Sequence, residues 1–212
     1  INAEMKTRKF IEDSIGPLEW GSWEDFKLIR ERLIVEDASY EFDVGKLRKK
    51  LLLMKIQEQI SDPETANELS EKAFQLFFKE RNKVEFFPYV LDEIEKLAQI
   101  YELGCLTNGN ADIEMIGIGK FFKFNISSKD VNANKPNKNH FQKAVELLGI
   151  SKEEILHIGD HKINDMLGAI SYGVKALWFN PDKEDWDLDD LKKPSEFNSW
   201  QGVTEKINNF YS

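Results

Sequence analysis

The chain has 212 residues, 41% hydrophobic and 12% aromatic, enough to bury a sizeable core in one domain with an insert or in two small domains. Its formal charge of -9 opposes nucleic-acid backbones and anionic membrane surfaces, no basic patch overrides that balance, and no apolar run approaches the ~20 residues of a membrane span. The single cysteine, Cys105, allows no intrachain disulfide, so a cytoplasmic setting is expected and the thiol reads as a small buried hydrophobe.

Residues 1–84 carry apolar side chains at helical spacing with charges between them, and none of them reads as a strand. Phe10, Ile11 and Ile15 close a first helix before Gly16-Pro17. Ser22 is the expected N-cap of a second, on which Trp23, Phe26, Ile29 and Leu33 share a face. Asp43 caps a third, expected to run to Ile60, and Asp62-Pro63 opens a fourth, where Phe74, Phe77 and Phe78 form a helix seam.

After Glu85-Phe86-Phe87-Pro88 helices alternate with short β-like runs, the pattern of a mostly parallel sheet covered by helices. The spacing predicts helices over 90–100, 111–117, 138–148 and 164–172, strands over 101–106, 121–126, 155–158, 175–179 and 197–200, and a last helix from Thr204. The expected architecture is therefore α/β with a Rossmann-like core over 85–212 and an all-helical block over 1–84. In open sheets of this kind ligands bind beyond the carboxyl ends of the strands.

Three polar clusters fall in such places. In Leu106-Thr107-Asn108-Gly109-Asn110 a strand ends in a hydroxyl and backbone N–H groups, which suits an anion, although Asn-Gly is also an ordinary turn. In Ile158-Gly159-Asp160, followed by Asp165 one helical turn on, two carboxylates can converge as a hard-cation site suited to Mg²⁺. The competing reading makes Asp160 a helix cap and Asp165 a first-turn acid. In Asn132-Ala133-Asn134-Lys135-Pro136 the proline restricts the residues before it and so aims the Lys135 ammonium, which beside a bound phosphate offsets charge in phosphoryl transfer.

Taken in order, Leu106-Thr107-Asn108-Gly109, Lys135-Pro136, and Gly159-Asp160 with Asp165 and Gly168-Ala169 resemble the second, third and fourth motifs of haloacid dehalogenase superfamily phosphatases. The resemblance spans essentially the whole chain and makes the helical block a cap of the early-inserted type. It is nearest to phosphatases of flavin mononucleotide or its ribitylaminouracil-phosphate precursor. It implies Mg²⁺-dependent hydrolysis of a small phosphorylated metabolite. Thr107 and Lys135 are the candidate catalytic residues. Thr107, Asn108, Gly109 and Lys135 would bind the phosphoryl group, while Asp160 and Asp165 would hold the metal, Asp165 directly or through water. His161 departs from the small or acidic residue frequent at its position and reads as loop surface; Trp20 and Trp23 are the nominees for cap contacts.

The family's first motif, Asp-x-Asp-x-Thr, supplies nucleophile and general acid/base and is absent from these residues. Because the chain opens on Ile1-Asn2-Ala3, the expectation is that roughly ten to twenty upstream residues, one strand and its loop, carry it. Two alternatives remain: a metal-free dehalogenase acting on a 2-haloalkanoic acid, which the paired aspartates oppose, and a non-catalytic member that binds a phosphorylated ligand.

Overall fold

The computed structural model describes residues 2–211 and the side chains of 3–209, so the expectation attached to Ile1 lies outside the described residues. The chain divides into two compact units. One holds the residues up to Val84 with Gly109–Gly117; the other holds Glu85–Asn108 and the residues from Ile118 on.

The first unit contains α1 (Asn2–Ile15), α2 (Trp23–Glu36), α3 (Val44–Ile56) and α4 (Pro63–Arg81). The caps are those the sequence suggests. Ser22 Oγ accepts from the Asp25 N–H at 3.2 Å while Asp25 accepts from the Ser22 N–H at 2.8 Å, a reciprocal capping box. Asp43 accepts from the Lys46 N–H and Asp62 from the Thr65 N–H. Ile11, Leu52, Ile56, Ala66, Ala73 and Phe74 form the core, and Phe74 and Phe78 stack with ring centroids 6.0 Å apart.

Four details differ from the pattern. α3 ends at Ile56, short of Ile60, and a 3-10 turn over Ala38–Glu41 follows Asp37, whose carboxylate accepts from the Ser39 N–H. Trp23 is 62% exposed, stacked on Phe26, and does not share Leu33's burial. Gly109–Gly117, with the short α6 (Ile113–Ile116), clusters with the helices, where Asn82 Oδ1 accepts from the Asp112 N–H at 2.9 Å.

In the second unit the elements run α5 (Val90–Ile100), β1 (Gly104–Thr107), β2 (Phe124–Ser127), α7 (Ser128–Val131), α8 (Asn139–Leu148), β3 (Leu156–Gly159), α9 (Gly168–Tyr172), β4 (Lys175–Phe179), β5 (Ser195–Phe197) and α10 (Val203–Tyr211). Every strand pairing is parallel, as the βα alternation requires. Alternate residues of β4 feed two apolar layers: Leu177 and Phe179 pack with Leu97, Val203 and Ile207, while Ala176 and Trp178 pack with Phe141, Met166 and Ala169. Helices thus cover both faces.

The ladders are broken at one place. β1 pairs with β2, and β3–β4–β5 form a separate sheet; among the described residues no strand joins β1 to β3. Yet Leu103 belongs to the same apolar layer as Leu156 and Ile158, and Leu106 to the same layer as Ile155. β4, with a neighbour on each side, is buried at Ala176–Phe179, whereas β1 and β3 are only half-buried.

α5 and α10 are joined by Glu93, which accepts from the Thr204 N–H at 2.8 Å, the Thr204 hydroxyl at 2.6 Å and Lys96 Nζ at 2.7 Å. Burial alone would raise the carboxyl's pKa, but these donors outweigh it and hold it down at about 2. Thr204→Val should therefore cost about 1.5–3 kcal/mol in urea unfolding at pH 7. Because the folded pKa is depressed, the contribution is complete above the unfolded value of 4.5 and fades as pH falls toward 2. The penalty of Thr204→Val is expected to shrink correspondingly at pH 3.

Candidate functional site

β1 ends at Thr107, in register with Ser127, and the chain then bends at Asn108. Asn108 is fastened to the loop carrying Lys135 by both ends of its amide: Oδ1 accepts from the Lys135 N–H at 2.7 Å and Nδ2 donates to the Lys135 carbonyl at 2.9 Å. The Ser128 hydroxyl also donates to Oδ1, at 3.3 Å. The clusters that hold Thr107 and Lys135, 27 residues apart at these positions, are thereby locked together.

Lys135 is buried, its peptide bond to Pro136 is cis, and its ammonium donates to the Leu106 carbonyl at 2.8 Å and to Asp165 Oδ1 at 2.6 Å. Two of its three donors are so taken, leaving one for a ligand. Leu106 offers its carbonyl because Leu103 already faces β2, accepting from the Lys123 N–H, and alternation turns Leu106 the other way.

Asp165 is equally buried and accepts three bonds: from Lys135 and from His157 Nε2 (3.1 Å) on Oδ1, and from the His161 N–H (3.1 Å) on Oδ2. Burial raises its pKa, but His157 and Lys135 overcome that and hold the carboxyl well below the usual carboxylate range. Burial pushes His157 down, so it meets the carboxylate as a neutral ring with its proton on Nε2. Gly159 is required here: a Cβ at that position would overlap the Asp165 carboxyl group.

The expected helix over 164–172 begins earlier and wider. Over Lys162–Leu167 the turn is π-helical, the His161 carbonyl accepting from both the Asp165 and Met166 N–H groups, before α9 takes over. Its cap is His161 and not Asp160: Nδ1 accepts from the Ile163 and Asn164 N–H groups, each at 3.1 Å. His161 is thus exposed, as expected of loop surface, and also caps the turn.

Asp160 stands at the end of β3 with an exposed side chain; its backbone carbonyl is what the protein holds, through the indole N–H of the buried Trp178 at 2.9 Å. The hard oxygen donors are therefore the Asp160 carboxylate and the one acceptor position that three bonds leave on Asp165. No group of three metal-ligating side chains occurs among the described residues. So sparse an all-oxygen set fits Mg²⁺, which completes its shell with water and phosphate, and does not fit a structural zinc.

The structure thus brings Thr107, Asn108, Lys135 and Asp165 together and sets Asp160 just past the end of β3, while Gly109 falls with the helical unit. Trp20 packs against the helical core with its indole N–H on Glu12, which gives it a structural role. Sequence reasoning missed His157, His140 and Trp178. A histidine inside the apolar run Leu156-His157-Ile158 was the readable signal for the first.

A model of the haloacid dehalogenase-like hydrolases matches residues 36–179. The 5-amino-6-(5-phospho-D-ribitylamino)uracil phosphatase of Escherichia coli is 27% identical over 191 residues, 88% of this chain and 80% of that protein. Phosphoserine phosphatase of Thermus thermophilus is 29% identical over 140 residues, 63% and 55% of the two chains. The solved structure of a 2-haloacid dehalogenase from Pseudomonas syringae pv. Tomato superposes with a TM-score of 0.89 at 30% identity, over 98% of this chain and 90% of that one. No helix among the described residues is long and apolar enough to cross a membrane.

Proposed function

The chain belongs to the haloacid dehalogenase-like hydrolases, and on that premise we propose that it hydrolyses the phosphomonoester of a small metabolite with the help of Mg²⁺. The observation that carries this reading is the buried Lys135 ammonium, held between the Leu106 carbonyl and Asp165 with one donor to spare. A fixed cation costs little reorganisation when a phosphoryl group gathers negative charge beside it. Thr107 would hold the phosphoryl group through its hydroxyl, and the Asn108 N–H would add a backbone donor. Asp160 would be the direct metal ligand, with Asp165 acting through water while it orients Lys135. The bound cation would shield the charges of phosphate and carboxylate as they approach.

The nucleophile we assign to a strand outside the described residues, seated between β1 and β3. Three features favour that seat: the open edges of both strands, their shared apolar layers and their incomplete burial. A strand there carrying Asp-x-Asp would place its first carboxylate to attack phosphorus. Its second would protonate the leaving oxygen and then activate water.

The 2-haloacid dehalogenase named above supports a second reading, displacement of halide from a 2-haloalkanoic acid without metal. One assay separates the two. The full-length protein is given p-nitrophenyl phosphate and the ribitylaminouracil phosphate that names the E. coli relative, with Mg²⁺ and with chelator, beside 2-chloropropionate. Phosphate release that chelator abolishes is expected; chloride release insensitive to chelator, with no phosphate release, would overturn the phosphatase reading.

A further inference from the structure

His140, the second residue of α8, is 0% exposed, yet only one of its ring nitrogens is satisfied. Nε2 lies 3.2 Å from the Thr107 carbonyl, and Nδ1 is buried without a partner. A carbonyl only accepts, so Nε2 carries the proton and Nδ1 is the bare nitrogen. Burial lowers the ring's pKa and keeps it in this neutral form. An orphaned buried acceptor is costly, and an apolar residue at this position would avoid that cost. The bond to Thr107 is what the histidine adds.

The Thr107 carbonyl and the Asn108 N–H belong to the same planar peptide and point in opposite directions. Drawing the carbonyl toward α8 therefore aims the N–H away from it. Within β1 the Leu106 carbonyl points opposite to that of Thr107, so the Asn108 N–H emerges on the side where the Leu106 carbonyl holds the Lys135 ammonium. Were this peptide to flip, the Thr107 carbonyl would reach that side instead. It could then take the ammonium's remaining donor and turn an anion acceptor site into a lone pair facing the anion.

We infer that His140 is a positioning residue: by binding the Thr107 carbonyl it fixes the Thr107–Asn108 peptide so that the Asn108 N–H and the Lys135 ammonium face the same phosphoryl oxygens. The inference rests on the phosphate-site reading given above and adds to it what holds the backbone donor in place. It also gives α8 a role in binding beyond its packing through Phe141.

The test uses the full-length protein and inorganic phosphate as the probe, by calorimetry in Mg²⁺, with kcat and KM for p-nitrophenyl phosphate alongside. His140→Leu should weaken phosphate binding and lower kcat/KM, toward the 10²-fold on the order of which one lost preorganised donor is worth. His140→Gln, whose amide N–H can replace Nε2–H, should recover most of the loss. A purely structural role predicts the reverse, with Leu tolerated and the polar amide not rescuing. His140→Met provides a second removal variant should Leu fail to fold, and the Asn108 amide resonance should shift on adding phosphate in wild type and in Gln but not in Met. Wild-type phosphate affinity in the Leu or Met variant, or a Gln variant as impaired as they are, would overturn the inference. Thr107→Val separates the two levels: if it alone loses phosphate, the role of His140 fails and the site stands; if it too binds normally, the phosphate site itself is misplaced.

Discussion

Replacing Asp165 by alanine is expected to remove turnover and about 3–5 kcal/mol of stability together, because it leaves the Lys135 ammonium buried without its counter-ion. The loss extends beyond one pair. His157 Nε2 and the His161 N–H also lose their acceptor, and the wide turn over Lys162–Leu167 loses the bond that closes it from within. The double variant Lys135→Met, Asp165→Leu discriminates between loss of a favourable pair and abandonment of a charge. Removing both charges should restore much of the stability while activity stays absent, since buried pairs replaced whole by apolar groups are often near neutral. Urea unfolding of the three proteins at pH 7 measures this, and a double variant no more stable than Asp165→Ala would contradict it.

The same carboxyl sets an acid limit. Its folded pKa lies below the unfolded value of 3.8, so its stabilisation is complete above that value and is lost as pH falls below it toward the depressed folded pKa. Wild type and Asp165→Ala should therefore converge in stability on acidification, the difference being full at pH 6 and smaller at pH 3.

What the sequence disclosed and what it withheld divide along a physical line. Helix starts were legible because caps are local: Ser22, Asp43 and Asp62 each bind an N–H three residues on, whatever the rest of the chain does. The α/β alternation and the parallel pairing were legible for the same reason, since period and spacing are read within a window. The strand limits were legible only in part: β4 spans Lys175–Phe179 as expected, and others do not match. β1 and β2 begin about three residues later than the apolar runs suggest, because what ends a strand is the partner it pairs with. Within the site, Thr107, Asn108, Lys135, Asp160 and Asp165 were nominated by motif, and the contacts that hold them were not. Asn108's grip on the Lys135 backbone, His157 behind Asp165 and Trp178 on the Asp160 carbonyl are tertiary contacts spanning 27, 8 and 18 residues, and no local pattern encodes them. The break between β1 and β3 lies between these extremes. The absence of Asp-x-Asp from the sequence led to the expectation of a further strand, and the open edges and half-burial of β1 and β3 among the described residues are what the proposal of one between them rests on.

Asp160→Asn should behave in the opposite way to Asp165→Ala, losing catalysis while leaving the fold intact. The side chain is exposed, and the anchorage at this position runs through the backbone carbonyl to the Trp178 indole, which asparagine preserves. Stability is thus expected to change by no more than about 0.5 kcal/mol, as for surface substitutions away from buried networks. Turnover of p-nitrophenyl phosphate by the full-length protein should nevertheless fall on the order of 10²–10³-fold, the usual consequence of deleting one preorganised electrostatic partner. An amide oxygen is a weaker donor to a hard cation than a carboxylate, so calorimetry should show Mg²⁺ affinity falling in the same variant. Trp178→Phe makes a sharper comparison, since it keeps the carboxylate and frees the loop that carries it. If Asp160 acts as a ligand held in place by that indole bond, Trp178→Phe should weaken Mg²⁺ binding less than Asp160→Asn does, and raising Mg²⁺ should recover turnover in the former alone. Equal and unrecoverable losses in both would mean that the loop serves the fold and not the metal.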